Sequence, residues 1–429
     1  VQAWDDNAAS RDALPAHERL TLAPFTGMVG LAGLVLSPGI PHILPSPHPL
    51  ARMAVEAGVP IVSDAELLFR AVRAAGSRAR FAGITGTNGK STTTVLLAHM
   101  LACCGIPVAA GGNLGPAALA LPLLPDDGVY VLEMSSYMLE RLEQLHFSAA
   151  CLLNLTPDHL DRHGDMAGYT AAKLHVFDHQ HAGDLAVLGA TLPDYARIHR
   201  GLAATRVRIA CVSGADVEQC DYYCTDHALC DHSGVIAGLD GATDLPGTHN
   251  RENAAAATAM ALHLGMPRAA VEGALATFSA LDHRQKLVGR IGTVRFINDS
   301  KATNADATAR ALACHDRLVW IAGGTAKAGG IEELAPLFGH VALALLIGRD
   351  APVLAATLTR HGVPHRIVHT LERAVPEARE AARALGVDVV MLSPACASFD
   401  QFSGFEARGA HFAALVRDLD GTAGGPTGA

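Results

Sequence analysis

Gly83-Ile84-Thr85-Gly86-Thr87-Asn88-Gly89-Lys90-Ser91-Thr92 is the stretch that decides how this chain is read. The apolar run Arg80-Phe81-Ala82 precedes it, and the helical pattern Thr93-Thr94-Val95-Leu96-Leu97-Ala98 follows. Strand, glycine loop, Gly-Lys-Ser and helix together make a phosphate-binding arrangement. Free N–H groups at the helix start face the anion, the lysine adds a point charge, and the hydroxyl reaches Mg²⁺. The strict motif has glycine where this chain has Ile84, and a glycine loop alone is also an ordinary capped turn. Lys90 and Ser91, in the required order after Gly89, favour the phosphate reading.

Outward from that loop, 429 residues are enough for two or three domains. Hydrophobic residues make up 50% and charged residues 17%, which argues for large cores and against disorder. The net charge of −9, with no basic cluster, argues against a nucleic-acid partner. Gly, Pro or charge breaks every apolar run well before the ~20 residues of a membrane span. No signal-peptide pattern opens the chain. The nine cysteines lack a paired, secreted-type framework and read as reduced thiols of a cytoplasmic protein. Val1-Gln2-Ala3-Trp4-Asp5-Asp6 carries no initiator Met and reads as the end of a strand, which predicts a segment upstream.

Residues 1–74 read as a small α/β unit. Leu34-Val35-Leu36 and Ile61-Val62 are strand runs, and Ser63 with Glu66 forms a capping-box pattern. Asp5 and Ser37 stand at strand ends, where such units bind ligands and where ordinary turn residues also stand. Residues 75–280 carry the phosphate loop. Val129-Tyr130-Val131-Leu132 runs into Glu133-Met134-Ser135-Ser136, and Cys151-Leu152-Leu153-Asn154-Leu155 into Thr156-Pro157-Asp158-His159. Glu133 or Asp158 alone reads equally as a helix cap. Beside Lys90 in one parallel sheet, both suit an Mg²⁺ site. Cys211, Cys220, Cys224, Cys230, His227 and His232 could hold zinc, but their spacing is irregular and lacks a repeated C-x₂-C pair. Asn253, on an alanine-rich helix opened by Gly247-Thr248-His249-Asn250, reads either as part of a capped helix or as a contact to a purine.

Leu281-Asp282-His283-Arg284 reads as a linker. Beyond it, residues 281–429 alternate apolar strands with helical patterns, which predicts a second doubly wound sheet. Its strand ends hold Lys301, Thr303, Lys327 and Ser398, a donor set for a small carboxylate, with Asp299 on the same rim. Thr422 to Ala429 is Gly-rich and reads as a fraying tail.

Together these motifs resemble the Mur ligase family. The resemblance is carried by 85–91, Gly111-Gly112-Asn113-Leu114-Gly115, 133–136, 154–162, Tyr169-Thr170-Ala171-Ala172-Lys173, 249–253, 298–304 and Leu392-Ser393-Pro394-Ala395-Cys396-Ala397-Ser398 with Asp400-Gln401-Phe402. It covers nearly the whole chain. The motifs at 298–304 and 392–398 are similar to those of the glutamate-adding member.

The resemblance implies three α/β domains: a truncated Rossmann-like UDP-binding domain, a central P-loop ATPase-type parallel sheet, and a C-terminal Rossmann-like domain for the amino acid. It implies a cytoplasmic, monomeric, ATP-dependent ligase that joins D-glutamate to UDP-N-acetylmuramoyl-L-alanine through an acyl phosphate, in peptidoglycan precursor synthesis. An L-glutamate-adding variant or a folylpolyglutamate-type synthase is the alternative. By the family pattern Gly86, Thr87, Asn88, Gly89, Lys90, Ser91 and Thr92 hold the phosphates. Ser91 and Glu133 hold one Mg²⁺, and His159 and a carbamylated Lys173 serve a second. Asn253, Arg284 and Asp299 match ATP contacts, and Lys301 lies close to the nucleotide. Asp5, Ser37, Asn113 and His159 match the uridine–muramoyl substrate. Thr303, Lys327, Ser398 and the Phe405 backbone match the glutamate clamp.

Overall fold

The computed structural model describes residues 1–14, 16–279, 282–327 and 329–423. Two compact units emerge. The first comprises 1–213, 218–222 and 255–271, and the second 214–217, 223–254 and 272–429. The 280/281 border expected from sequence falls on Ala280 and Leu281, which lie outside the described residues, as do Gly424 to Ala429 of the tail. Thr422 and Ala423 instead end the helix Phe405–Ala423.

The first unit is built on a parallel sheet. Its strand order is Arg208–Val212, Leu185–Gly189, Ala149–Leu152, Arg80–Thr85, Val129–Glu133, Val108–Gly112. The four inner strands are buried along nearly their whole length, as expected of a parallel sheet covered on both faces. Phe81 stacks on Tyr130 with ring centroids 4.7 Å apart. The Phe147 ring packs so tightly that a Cβ at Gly83 would meet it at 2.9 Å.

Residues 1–74 add two small parallel pairs, Gln2–Ala3 with Thr21–Leu22 and Leu34–Val35 with Ile61–Val62. Their core is small: Met28, Leu34, Leu36, Ala51, Ala54 and Val59. Ser63 caps the helix Asp64–Ala74 through the Glu66 N–H, as the pattern predicts. The Glu66 carboxylate does not reach back to complete the box. It is fully buried and accepts the N–H groups of Glu143, Gln144 and Leu145.

The second unit holds a six-stranded sheet ordered Lys286–Ile291, Val294–Asn298, Val389–Leu392, Leu318–Gly323, Val341–Ile347, His365–His369. Leu318, Trp320, Leu346 and Met391 point into one core, and Val319, Ile321, Leu345 and Val390 into the other. This alternation is why the strands read as unbroken apolar runs. The edge strand Lys286–Ile291, antiparallel to its neighbour, is not foreseen by the sequence reading.

One expectation is corrected. The nine cysteines are not all thiols, because Cys211 is disulfide-bonded to Cys220 with Cα atoms 4.7 Å apart. The cause is local. Val212 pairs with Tyr222 in a parallel ladder, so the connecting turn folds the two cysteines together. The zinc alternative is weakened accordingly, since two of its candidate ligands are bonded to each other.

Candidate active site

The phosphate loop ends the central strand Arg80–Thr85 and opens the helix Lys90–Cys103. Gly89 caps that helix in the left-handed region, at φ 84°. Lys90 Nζ donates to the carbonyls of Gly86 (2.9 Å) and Thr87 (2.7 Å). Asn154, at the end of the adjacent strand, clamps the loop twice. Its Oδ1 accepts from Asn88 N–H at 2.9 Å and its Nδ2 donates to Asn88 O at 3.1 Å. The Thr87 hydroxyl donates to Thr156 O and accepts from Thr156 N–H.

Glu133 stands at the next strand end. The Ser91 hydroxyl donates to its Oε2 at 2.5 Å, and Asn113 Nδ2 donates to its Oε1 at 2.7 Å. Asn113 therefore orients Glu133, a role that the resemblance does not supply. A Cβ at Gly112 would lie 2.5 Å from Glu133 O, so only glycine lets the two strand ends approach this closely.

Lys173 is 2% exposed. Its Nζ donates to Gly86 O at 2.9 Å and lies 4.8 Å from the Tyr169 ring. Burial, and then the charge of Lys90, pull its pKa well below the usual lysine range. Asp158 and Glu133 oppose that shift, so the amine sits amid both carboxylates and the loop lysine. An oxygen-rich set with a deprotonatable amine fits hard Mg²⁺.

His159 adopts a left-handed backbone, φ 53°, where the helix Leu160–His163 begins. Its ring lies 5.1 Å from that of Tyr137, and its Nε2 is 3.5 Å from Asp158 Oδ2. Sequence reasoning misses His163, which is buried between Glu140 Oε1 (3.0 Å) and the Ser136 hydroxyl (2.9 Å). Ser37 is exposed at a strand end whose turn is held from below. Arg141, 2% exposed, donates to Leu36 O and Ile40 O, and Arg162 donates to Gly39 O. Asp5 lies in the turn after Gln2–Ala3, accepting Asn7 N–H and Arg11.

In the second unit, Asp299 Oδ2 accepts from the Ser393 hydroxyl at 2.7 Å and its Oδ1 from Gln285 N–H at 3.2 Å. Burial pushes its pKa up to about 7 against these bonds and the attraction of Arg284. His283 and Gln285, on either side of Arg284, have φ 65° and 45°. Non-glycine residues held in this region store strain, a common mark of functional turns. Asn253 Nδ2 donates to Asn250 Oδ1 at 3.1 Å. Its neighbours Arg251 and Ala254 line a cavity of about 190 Å³ with Pro246 and Gly247.

Three strand-end loops of this unit converge. Thr325 and Ala397 pair through both backbone bonds, which sets the loop of Lys327 beside that of Ser398. Lys301 Nζ lies 4.6 Å from the Phe405 ring. Ser398 is buried and Lys327 exposed. Thr303 N–H donates to Lys301 O. Beneath them lies Arg408, 1% exposed. It donates to the hydroxyl and carbonyl of Ser300, to Cys396 O at 3.1 Å and to Gly323 O at 3.4 Å. Nothing in the sequence flags it, since an arginine near a helix start normally reads as solvent-facing.

The loop, its lysine, the strand-end carboxylate and the parallel sheet define a phosphate-loop nucleotide-binding α/β protein. Two family models refine this: the Mur ligase middle domain matches residues 84–261, and the Mur ligase glutamate ligase domain matches 283–396. The chain is 46% identical over 98% of its length to the UDP-N-acetylmuramoylalanine--D-glutamate ligase of Paramagnetospirillum magneticum, covering 92% of that protein. Among solved structures it is similar to MurF from Acinetobacter baumannii, at TM-score 0.62 and 19% identity over 83% of this chain and 80% of that one. It is also similar to MurF from Thermotoga maritima in complex with ADP, at TM-score 0.60 and 16% identity over 88% and 92%. The chain belongs to the Mur ligase family. Among the described residues no helix is long and apolar enough to cross a membrane.

Proposed function

We propose that the protein joins D-glutamate to UDP-N-acetylmuramoyl-L-alanine at the expense of ATP, as a cytoplasmic monomer with domains 1–74, 75–280 and 281–429. The observation that carries this reading is the buried Lys173 beside Glu133, Ser91 and the phosphate loop, in a chain 46% identical to a ligase of that name.

The chemistry follows from these residues. A carboxylate is a poor acyl donor until it is phosphorylated. Its oxygen attacks the γ-phosphorus, ADP departs, and an acyl phosphate forms. The free amine of glutamate then attacks the carbonyl carbon and loses a proton, and phosphate leaves. Phosphoryl transfer is mainly positioning and charge neutralisation. Lys90 and the N–H groups of 86–92 cradle the phosphates, and Thr87 and Asn154 fix the loop. Ser91 and Glu133 would offer oxygen ligands to one Mg²⁺, and the His159 imidazole and a carbamylated Lys173 would serve a second; bound there, Mg²⁺ would neutralise phosphate charge. A neutral Lys173 amine can add CO₂ and release a proton, giving an anionic carbamate. By the family pattern Asn253, Arg284, Asp299 and Lys301 are assigned as further ATP contacts. Thr303, Lys327, Ser398 and the Phe405 backbone take the glutamate carboxylates, and Asp5, Ser37 and Asn113 the nucleotide-sugar substrate.

The test is phosphate release from ATP with UDP-N-acetylmuramoyl-L-alanine and D-glutamate, L-glutamate or no amino acid. Release confined to D-glutamate is expected. Release with L-glutamate would establish the variant ligase instead, and turnover of a folate acceptor the synthase.

A further inference from the structure

We infer that His146, His181 and Asp184 form a binding site for one borderline divalent cation of the Zn²⁺ class, at the amino-terminal ends of two inner strands of the central sheet, opposite the phosphate loop. His146 Nε2 and His181 Nδ1 each lie 2.8 Å from the same oxygen, Asp184 Oδ2. The three ligand atoms are all within 4.8 Å of one another, and among the described residues no other group of three His, Cys, Asp or Glu is gathered this tightly. Ligand atoms around a tetrahedral ion with bonds of ~2.0–2.1 Å stand about 3.3 Å apart. To admit the ion, each nitrogen would move roughly half an ångström away from the shared oxygen while the two nitrogens settle at a similar spacing.

The backbone fixes the site. Leu185 N–H donates to Ser148 O, so the loop carrying His146 and the turn carrying His181 and Asp184 lie side by side where two parallel strands begin. Asp184 Oδ2 also accepts His181 N–H at 2.8 Å, which orients the carboxylate before any ion arrives. Asp184 is 9% exposed and His146 25%, so both are held, whereas His181 at 71% leaves a path for entry. The nearby His263 is not a fourth ligand, because its Nε2 is engaged by Ser148 O at 3.1 Å.

Two imidazoles and one carboxylate suit Zn²⁺ rather than Mg²⁺. At ~3.3 Å per residue the strands separate this site from the loop by about 15–20 Å. The ion would thus cross-link a loop to a turn and take no part in phosphoryl transfer.

Calorimetric titration of the intact protein with Zn²⁺, with Mg²⁺ in excess, tests the site. One equivalent is expected, weakened at least about tenfold by His181→Asn and by His146→Gln. Zn²⁺ should raise the melting temperature of the parent and not of the variants, while ligation rates are unchanged. Asp184→Asn also weakens the acceptor that holds the turn, so the two histidine variants decide. Absence of a one-equivalent site overturns the proposal. So does unchanged binding in both variants, which would place zinc on the thiols.

Discussion

Arg408 grips Ser300 twice, through Nε to the hydroxyl at 3.0 Å and through a terminal N–H to the carbonyl at 2.8 Å. Its remaining N–H groups reach Gly323 and Cys396, so one guanidinium ties together the three loops that carry Lys301, Lys327 and Ser398. Burial pulls its pKa down to about 10, which leaves it a cation at neutral pH. Lysine cannot reproduce the planar fork. Arg408→Lys should raise the KM for glutamate about tenfold or more and leave the KM for ATP nearly unchanged. Initial rates against both substrates check this, and a purely structural role would move both constants together.

Asn113 should act on metal affinity rather than on chemistry. It holds one oxygen of Glu133 while Ser91 holds the other. Asn113→Ala should raise the Mg²⁺ concentration for half-maximal rate by roughly 10–100-fold, with the maximal rate largely recovered at saturation. An unchanged Mg²⁺ curve would remove Glu133 from the metal site.

Lys173→Ala should lower turnover by about a hundredfold or more if the proposed carbamate is the anionic ligand at the phosphates. Protein equilibrated with ¹³C-bicarbonate should show a carbamate carbon resonance that the variant lacks. Full activity in the variant would withdraw Lys173 from the site.

Asp299 makes stability depend on pH in a definite direction. Its folded pKa, about 7, lies above the ordinary 3.8, so between those values the folded state holds a proton that the unfolded chain releases. Its contribution is complete below pH 4 and is lost as pH rises through 7. Asp299→Asn should therefore gain stability relative to the parent between pH 5 and pH 8, by at most about 3 kcal/mol. Urea midpoints at the two pH values measure this difference. No difference would mean that Asp299 ionises freely.

The legible parts of the fold were those written in local pattern. The phosphate loop, the Ser63 cap and the apolar strands of both sheets are set by neighbours in sequence, and they formed where expected. What escaped depends on distant partners. Glu66 carries a capping-box signature, yet it turns toward residues 143–145 because three buried N–H groups there need an acceptor. Arg408 and His163 look like surface residues until the strand ends close over them. Cys211 and Cys220 are joined by a parallel pairing that their spacing does not announce.

Arg141 has one more implication. Its N–H groups finish the backbone of the 36–40 turn, which no sheet ladder completes. The six-residue core beneath that turn is too small to hold it alone. The N-terminal region therefore has no melting point of its own. Its amides at 36–40 should exchange with solvent at the rate of the nucleotide-binding sheet, so destabilising the sheet should open both regions together.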